Sequence, residues 1–275
     1  MTLRSKRRIS ISAAGDPLAR RVILLLHPTP GAGPFDPAPD ITSRWGVHLL
    51  TADRPGYGAT PQLSDGESHT VQHRADDLAD FLRQSKEIAR TSGGMAFDSV
   101  GLVGWGTGGT LALSLAARHP QLVDRVAVVN TTSPTGFTLL PGPEVSVPYT
   151  RSSLFIDDNE PALAARAGLG HRIDRMLGEA SLQGSAGVDG DRRMLADPSW
   201  AEQLDRITAD VRLIYGDDDR TSSIADGHWY RRRIRRSRTV RVPGEGALTI
   251  AARWARILGH VAPDHGGLGG PASPG

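Results

Sequence analysis

Short apolar runs of strand length punctuate the chain at residues 8–12, 22–26, 47–52, 99–103, 125–130, 211–215 and 239–242. Between the later runs the apolar positions recur every three or four residues instead. Val71, Ala75, Leu78, Leu82 and Ile88 form one stripe over 69–88. The segment 107–118 is rich in alanine and leucine and stops at Pro120, and 247–261 carries Ile250, Trp254, Ile257 and Leu258. Short apolar runs alternating with segments of helical spacing predict β-α-β units, and therefore an α/β fold with a doubly wound, mostly parallel sheet. The alternation breaks between about residues 133 and 209. That stretch opens with Pro134, Gly136, Pro141, Gly142, Pro143 and Pro148, which reads as a loop leaving the sheet. Two helical patches follow at 161–169 and 172–182, then a glycine-rich turn at Gly184, Gly187 and Gly190. Residues 1–133 and 210–262 are thus expected to form the core, and 134–209 a lid insertion with its return to the core. The lid is expected over the C-terminal edge of the sheet, where open α/β folds bind ligands. The glycine- and proline-rich tail, 263–275, has little to bury and is expected to be disordered.

Composition narrows the function classes. A chain of 275 residues suits one large α/β domain, and its 39% hydrophobic content is that of a globular protein. No apolar run is long enough to span a bilayer. The basic start, Arg4 to Arg8, is not followed by an apolar signal region, so a cytoplasmic location and no membrane partner are expected. With no cysteine there are no disulfides and no thiolate nucleophile or metal ligand. Net charge is only +2, with lysine confined to Lys6 and Lys86. The arginine cluster 231, 232, 233, 235, 236, 238 and 241 reads as a solvated helix face leading into a strand. A nucleic-acid surface would interleave aromatics, and only Trp229 and Tyr230 lie near, so no nucleic-acid partner is expected. No phosphate-binding glycine loop and no metal-ligand spacing occur, so neither a metal nor a cofactor is expected.

Four segments carry the chemistry. A strand ends in Leu24-Leu25-Leu26-His27-Pro28-Thr29-Pro30-Gly31, and another in Asp53-Arg54-Pro55-Gly56-Tyr57-Gly58. Leu102-Val103-Gly104-Trp105-Gly106-Thr107-Gly108-Gly109 runs from strand into helix. Last, Leu213-Ile214-Tyr215-Gly216-Asp217-Asp218-Asp219 precedes Val242-Pro243-Gly244-Glu245-Gly246-Ala247. In this order and spacing the sequence resembles the small-molecule branch of the α/β-hydrolase superfamily, from about residue 8 to residue 258, with the lid matching in position only.

That resemblance assigns expected roles. The third segment is similar to the nucleophile elbow, a sharp strand-to-helix turn that presents a serine, and the serine position is Gly106. The family acid falls at Asp219, and the family histidine position at Ala247. Two of the three triad positions are therefore expected to be inert. The oxyanion donors fall on the backbone N–H groups of Thr29 and Thr107, with His27 and Trp105 beside them. Pro28 stands where the family has glycine. Asp53 is expected to be a structural turn residue, and His171, in the lid, is the histidine that could replace the missing base. The implied function is binding or transformation of a small organic molecule without serine hydrolysis, in the manner of a lyase, isomerase or cyclase. A non-catalytic binder or receptor and a hydrolase using substitute residues are the alternatives.

Overall fold

Five consecutive residues, Val22–Leu26, are buried, and such a strand has to lie inside a sheet with both faces covered. The computed structural model, which describes residues 1–91, 97–135 and 146–265, places this strand (β2) near the middle of a seven-stranded sheet. Its neighbours are β3 (His48–Ala52) and β4 (Val100–Trp105), both parallel to it. Beyond β4 follow β5 (Val123–Val129), β6 (Asp210–Gly216) and β7 (Ser237–Val242), all parallel. The other edge is β1 (Ile11–Gly15), which pairs antiparallel with β3. The full order is β1-β3-β2-β4-β5-β6-β7. The chain winds outward in opposite directions from β2, so the switch point lies between the C-terminal ends of β2 and β4.

Alternate residues of β2 feed two cores. Leu24 and Leu26 pack with α2 (Val71–Thr91), α3 (Thr107–Arg118) and α7 (Ile224–Arg231). Ile23 and Leu25 pack with α1 (Pro39–Trp45), α8 (Thr249–Ala252) and α9 (Trp254–Val261). Between β5 and β6 the chain leaves the sheet and contributes α4 (Pro161–Ala165), α5 (Leu169–Ala180) and α6 (Ala186–Leu195). It then returns through Trp200 and Leu204, which pack into the first core.

Several details depart from the sequence reading. The first strand begins at Ile11, not residue 8, because Arg8 instead bridges back to Thr2. Helix α1 was not anticipated, although Pro39 in its first turn and left-handed Gly46 at its end are start and stop signals. The stripe at 247–261 is two helices broken at Arg253. The expected glycine turn is a turn only at Gly184, where φ is +63°; Gly187 and Gly190 lie inside α6. A Cβ on Gly187 would meet the Tyr57 ring at 2.6 Å, so this glycine lets the inserted helix rest against the core. Of the loop residues expected to leave the sheet, Gly136, Pro141, Gly142 and Pro143 lie outside the described residues, as does 266–275 of the expected disordered tail.

Candidate active site over Gly106

The turn between β4 and α3 is built from glycines for steric reasons. A Cβ on Gly104 would sit 2.4 Å from the Gly109 Cα, one on Gly108 would sit 2.0 Å from the Leu26 carbonyl oxygen, and one on Gly109 would sit 1.9 Å from the Thr131 hydroxyl. Helix α3 therefore starts in backbone contact with the sheet. At the apex Gly106 has φ +55° and ψ −123°, and its N–H donates to the Val129 carbonyl at 2.9 Å. The apex, unlike its flanks, has room: a Cβ there would meet only Pro28, at 3.4 Å and 3.8 Å.

A cavity of about 280 Å³ opens over this apex. Gly106, Thr107, Trp105, Pro28, Thr29, Asp219 and Ala247 all line it, so the structure brings together six of the eight residues singled out from sequence, with Pro28 beside them. Among the described residues the N–H groups of Thr29 and Thr107 donate to nothing. Thr107 is the first residue of α3, where an N–H has no partner inside its own helix and carries the positive end of the helix dipole. The two donors flank the switch point and can receive an oxygen with negative character. Trp105 is buried and packs against Phe35, with ring centroids 5.6 Å apart, closing the floor.

The other two residues fall outside the lining. His27 is buried: its Nδ1 lies 2.9 Å from the Pro28 carbonyl, and its Nε2 accepts from the Arg54 N–H at 3.2 Å. Burial, followed by the Arg54 charge, pushes its pKa well below the ordinary histidine value, so it is a neutral ring that shapes the loop after β2. His171 sits exposed on α5, away from the residues that line the cavity.

Asp219 is fixed by its own turn. Its Oδ2 accepts from the Ser222 N–H at 2.8 Å, the Ser222 hydroxyl at 2.6 Å and the Thr221 hydroxyl at 3.0 Å. Burial raises its pKa above the ordinary carboxylate value, against the pull of those hydrogen bonds. Asp53 accepts the N–H groups of Gly33 and Ala59, which staples two loops, in line with a structural role.

Three residues that sequence reasoning missed organise the surroundings. Asn130, at φ +49°, donates to the Gly246 carbonyl at 2.9 Å and accepts the Gly216 N–H at 3.0 Å, tying the Asp219 turn to the loop that carries Ala247. An asparagine directly after an apolar strand is the available signal, since it tolerates this backbone region. Glu160, from the start of α4, accepts the Leu248 N–H at 3.0 Å and lies behind Ala247. Asp191, from α6, is bound by Arg54 Nε at 2.9 Å and Nη2 at 2.7 Å, by the Tyr57 hydroxyl at 2.8 Å and by the Thr29 hydroxyl. The inserted helix α6 and the loops after β2 and β3 are thereby joined through one buried carboxylate. No sequence motif announces any of these long-range partners.

Comparison with known proteins fits this geometry. Residues 21–172, more than half of the chain, match the family described as alpha/beta hydrolase fold. The chain belongs to the α/β-hydrolase family. This α/β-hydrolase is also 28% identical, over 71% of its own length and 78% of the relative's, to a pimeloyl-[acyl-carrier protein] methyl ester esterase from Aromatoleum aromaticum. Among solved structures it resembles an esterase from Exiguobacterium antarcticum, with a TM-score of 0.67, 16% identity and coverage of 93% of this chain and 94% of that one. An alpha/beta hydrolase fold protein from Nakamurella multipartita gives 0.63, 21% identity and coverage of 91% and 94%. At these identities the structural matches establish the fold. Among the described residues no helix is long and apolar enough to cross a membrane, and no cluster of side chains could hold a metal.

Proposed function

We propose that this α/β-hydrolase has a degenerate triad and acts without serine hydrolysis. In this reading it holds a small carbonyl- or carboxylate-bearing compound over Gly106, and Asp219 is its proton-transfer group. The residue set of the cavity carries the reading. Gly106 offers no nucleophile and Ala247 no base, whereas Asp219 keeps a carboxylate with a raised proton affinity. A base with that property can remove a proton next to a carbonyl, while Thr29 and Thr107 N–H groups stabilise the oxyanion that develops. That is lyase, isomerase or cyclase chemistry. The ester-cleaving relative supports an ester or acid as the ligand class. A receptor that holds the same ligand without turning it over is the second reading, favoured by the absence of histidine from the cavity lining among the described residues.

The experiment combines labelling with ligand identification. A fluorophosphonate should label no residue, and native mass spectrometry of the purified chain should reveal a bound carbonyl or carboxylate compound. Stoichiometric labelling at Thr107 would restore a nucleophile and overturn the reading. If Asp219→Asn abolishes conversion of that compound but retains its binding, the enzyme is supported. If the unaltered chain binds the compound and never converts it, the receptor replaces the enzyme.

A further inference from the structure

Ahead of α4 the inserted segment makes one tight 3-10 turn, Arg151–Leu154, which ends on Phe155. Phe155 stands at φ +55° and ψ +24°, in the left-handed region. Its N–H reaches the Ser152 carbonyl at 3.0 Å, and the Ile156 N–H reaches the Arg151 carbonyl at 3.1 Å. Bonds of this kind close the end of a helical turn, and the residue at that place is ordinarily glycine. A side chain is strained there because its Cβ crowds the following carbonyl oxygen, and a bulky one is rare. Packing within the chain does not account for the ring. Leu154 and Ile156 on either side are buried in the core shared with α8 and α9, whereas Phe155 is 36% exposed and belongs to neither core. No aromatic ring among the described residues stacks on it. It lines the cavity over Gly106 instead, where Leu154 and Leu195 add apolar surface and Thr29, Thr107 and Asp219 supply the polar groups.

We propose that Phe155 is a specificity-determining residue of this site, kept in an unfavourable backbone conformation because its ring is needed at the cavity. The ligand is then amphipathic, with its oxygen-bearing end over Gly106 and an aryl group against Phe155, Leu154 and Leu195. This rests on the cavity over Gly106 being the seat of a carbonyl or carboxylate. A ligand ring laid against Phe155 buries apolar area and gains a ring-to-ring contact, which offsets strain that the fold alone leaves uncompensated. Replacing Phe155 by glycine should accordingly help the fold and harm binding. A purely structural side chain would not give effects of opposite sign.

The test titrates 4-phenylbutyrate calorimetrically into the full chain, with butyrate and 4-phenylbutylamine as comparison probes. The parent chain should bind one 4-phenylbutyrate saturably and each comparison probe at least about tenfold more weakly, the scale of a ring contact or of one charge-assisted hydrogen bond. Phe155→Gly should melt at or above the parent's temperature and weaken 4-phenylbutyrate about tenfold. Phe155→Tyr, which keeps both the ring and the strain, should retain the affinity. A clear fall in melting temperature with Phe155→Gly would make the ring structural and overturn the proposal, as would a parent chain that does not bind 4-phenylbutyrate saturably. Affinity undiminished by Phe155→Gly, or butyrate bound as tightly as 4-phenylbutyrate, would overturn it too, while leaving the cavity over Gly106 as a carboxylate site. If 4-phenylbutylamine equals 4-phenylbutyrate and both weaken with Phe155→Gly, the ring contact stands and the oxygen-binding reading beneath it falls.

Discussion

At the scale of single residues, the proposed chemistry turns on Gly106 and Asp219. A serine at the apex would have steric room beside Pro28 but would have to adopt φ +55°, ψ −123°. Holding a non-glycine residue there costs about 1–3 kcal/mol. Gly106→Ser should therefore lower unfolding stability by about that amount in urea, with no gain of esterase activity on its own. Adding Ala247→His should produce measurable cleavage of an activated aryl ester that disappears again with Asp219→Asn. A double variant that folds, places the new histidine on Asp219 and still cleaves nothing would mean that the pocket has diverged beyond the two side chains. Asp219 also predicts a pH dependence. Burial raises its folded pKa above the ordinary 3.8, so the folded chain holds this proton more tightly than the unfolded chain does. The contribution is full below the unfolded value and is lost as pH rises through the folded one. Asp219→Asn should remove that loss, so the variant gains on the parent chain as pH rises from about 3.8. Parallel stability curves across a urea series at several pH values would refute the raised pKa. At this scale the sequence was informative where a motif has fixed spacing: Gly106, Thr107, Asp219 and Ala247 do line one cavity. It was silent on the partners of Asn130, Glu160 and Asp191, which lie 116, 88 and 137 residues away, because nothing local records such contacts.

Among the elements, α6 matters most for the site. Its Asp191 and the core's Arg54 are each 5% exposed at the side chain, and they meet in a bidentate pair. Removing one partner of such a pair strands the other charge, at a cost of about 3–5 kcal/mol. Arg54→Met should destabilise the chain by about that much, and adding Asp191→Leu should return only part of it, because it removes the stranded carboxylate but leaves the buried Tyr57 and Thr29 hydroxyls without that acceptor. A double-mutant cycle in urea measures this, and strictly additive costs would contradict it. The strands were legible as elements because buried parallel strands are nearly continuous apolar runs. Helix α6 was misread as a turn because glycine weakens helices locally, while here it is tertiary packing against Tyr57 that requires Gly187.

On the scale of the whole molecule, the buried pair joins the residues inserted between β5 and β6 to the loop after β3, and Trp200 and Leu204 return them to the core. Insertion and sheet should accordingly unfold in one transition. Tryptophan fluorescence and far-ultraviolet circular dichroism should give coincident denaturation curves, and an early separate fluorescence step would refute this. The doubly wound arrangement was readable from alternating periodicity, whereas the antiparallel pairing of β1 was not, since one short strand carries no sign of its direction. The arginine-rich stretch that sequence left as a solvated face takes its meaning from the sheet order, which puts β7 at an open edge. Along that strand the exposed Val240 is flanked by exposed Arg238 and Arg241. An edge of unsatisfied peptide groups is a template on which a second copy can add a strand, and charged side chains keep copies apart. The arginines of β7 thus act as colloidal stabilisers: exchanging Arg238 and Arg241 for threonine should leave the fold intact yet shift light scattering toward growing assemblies as concentration rises.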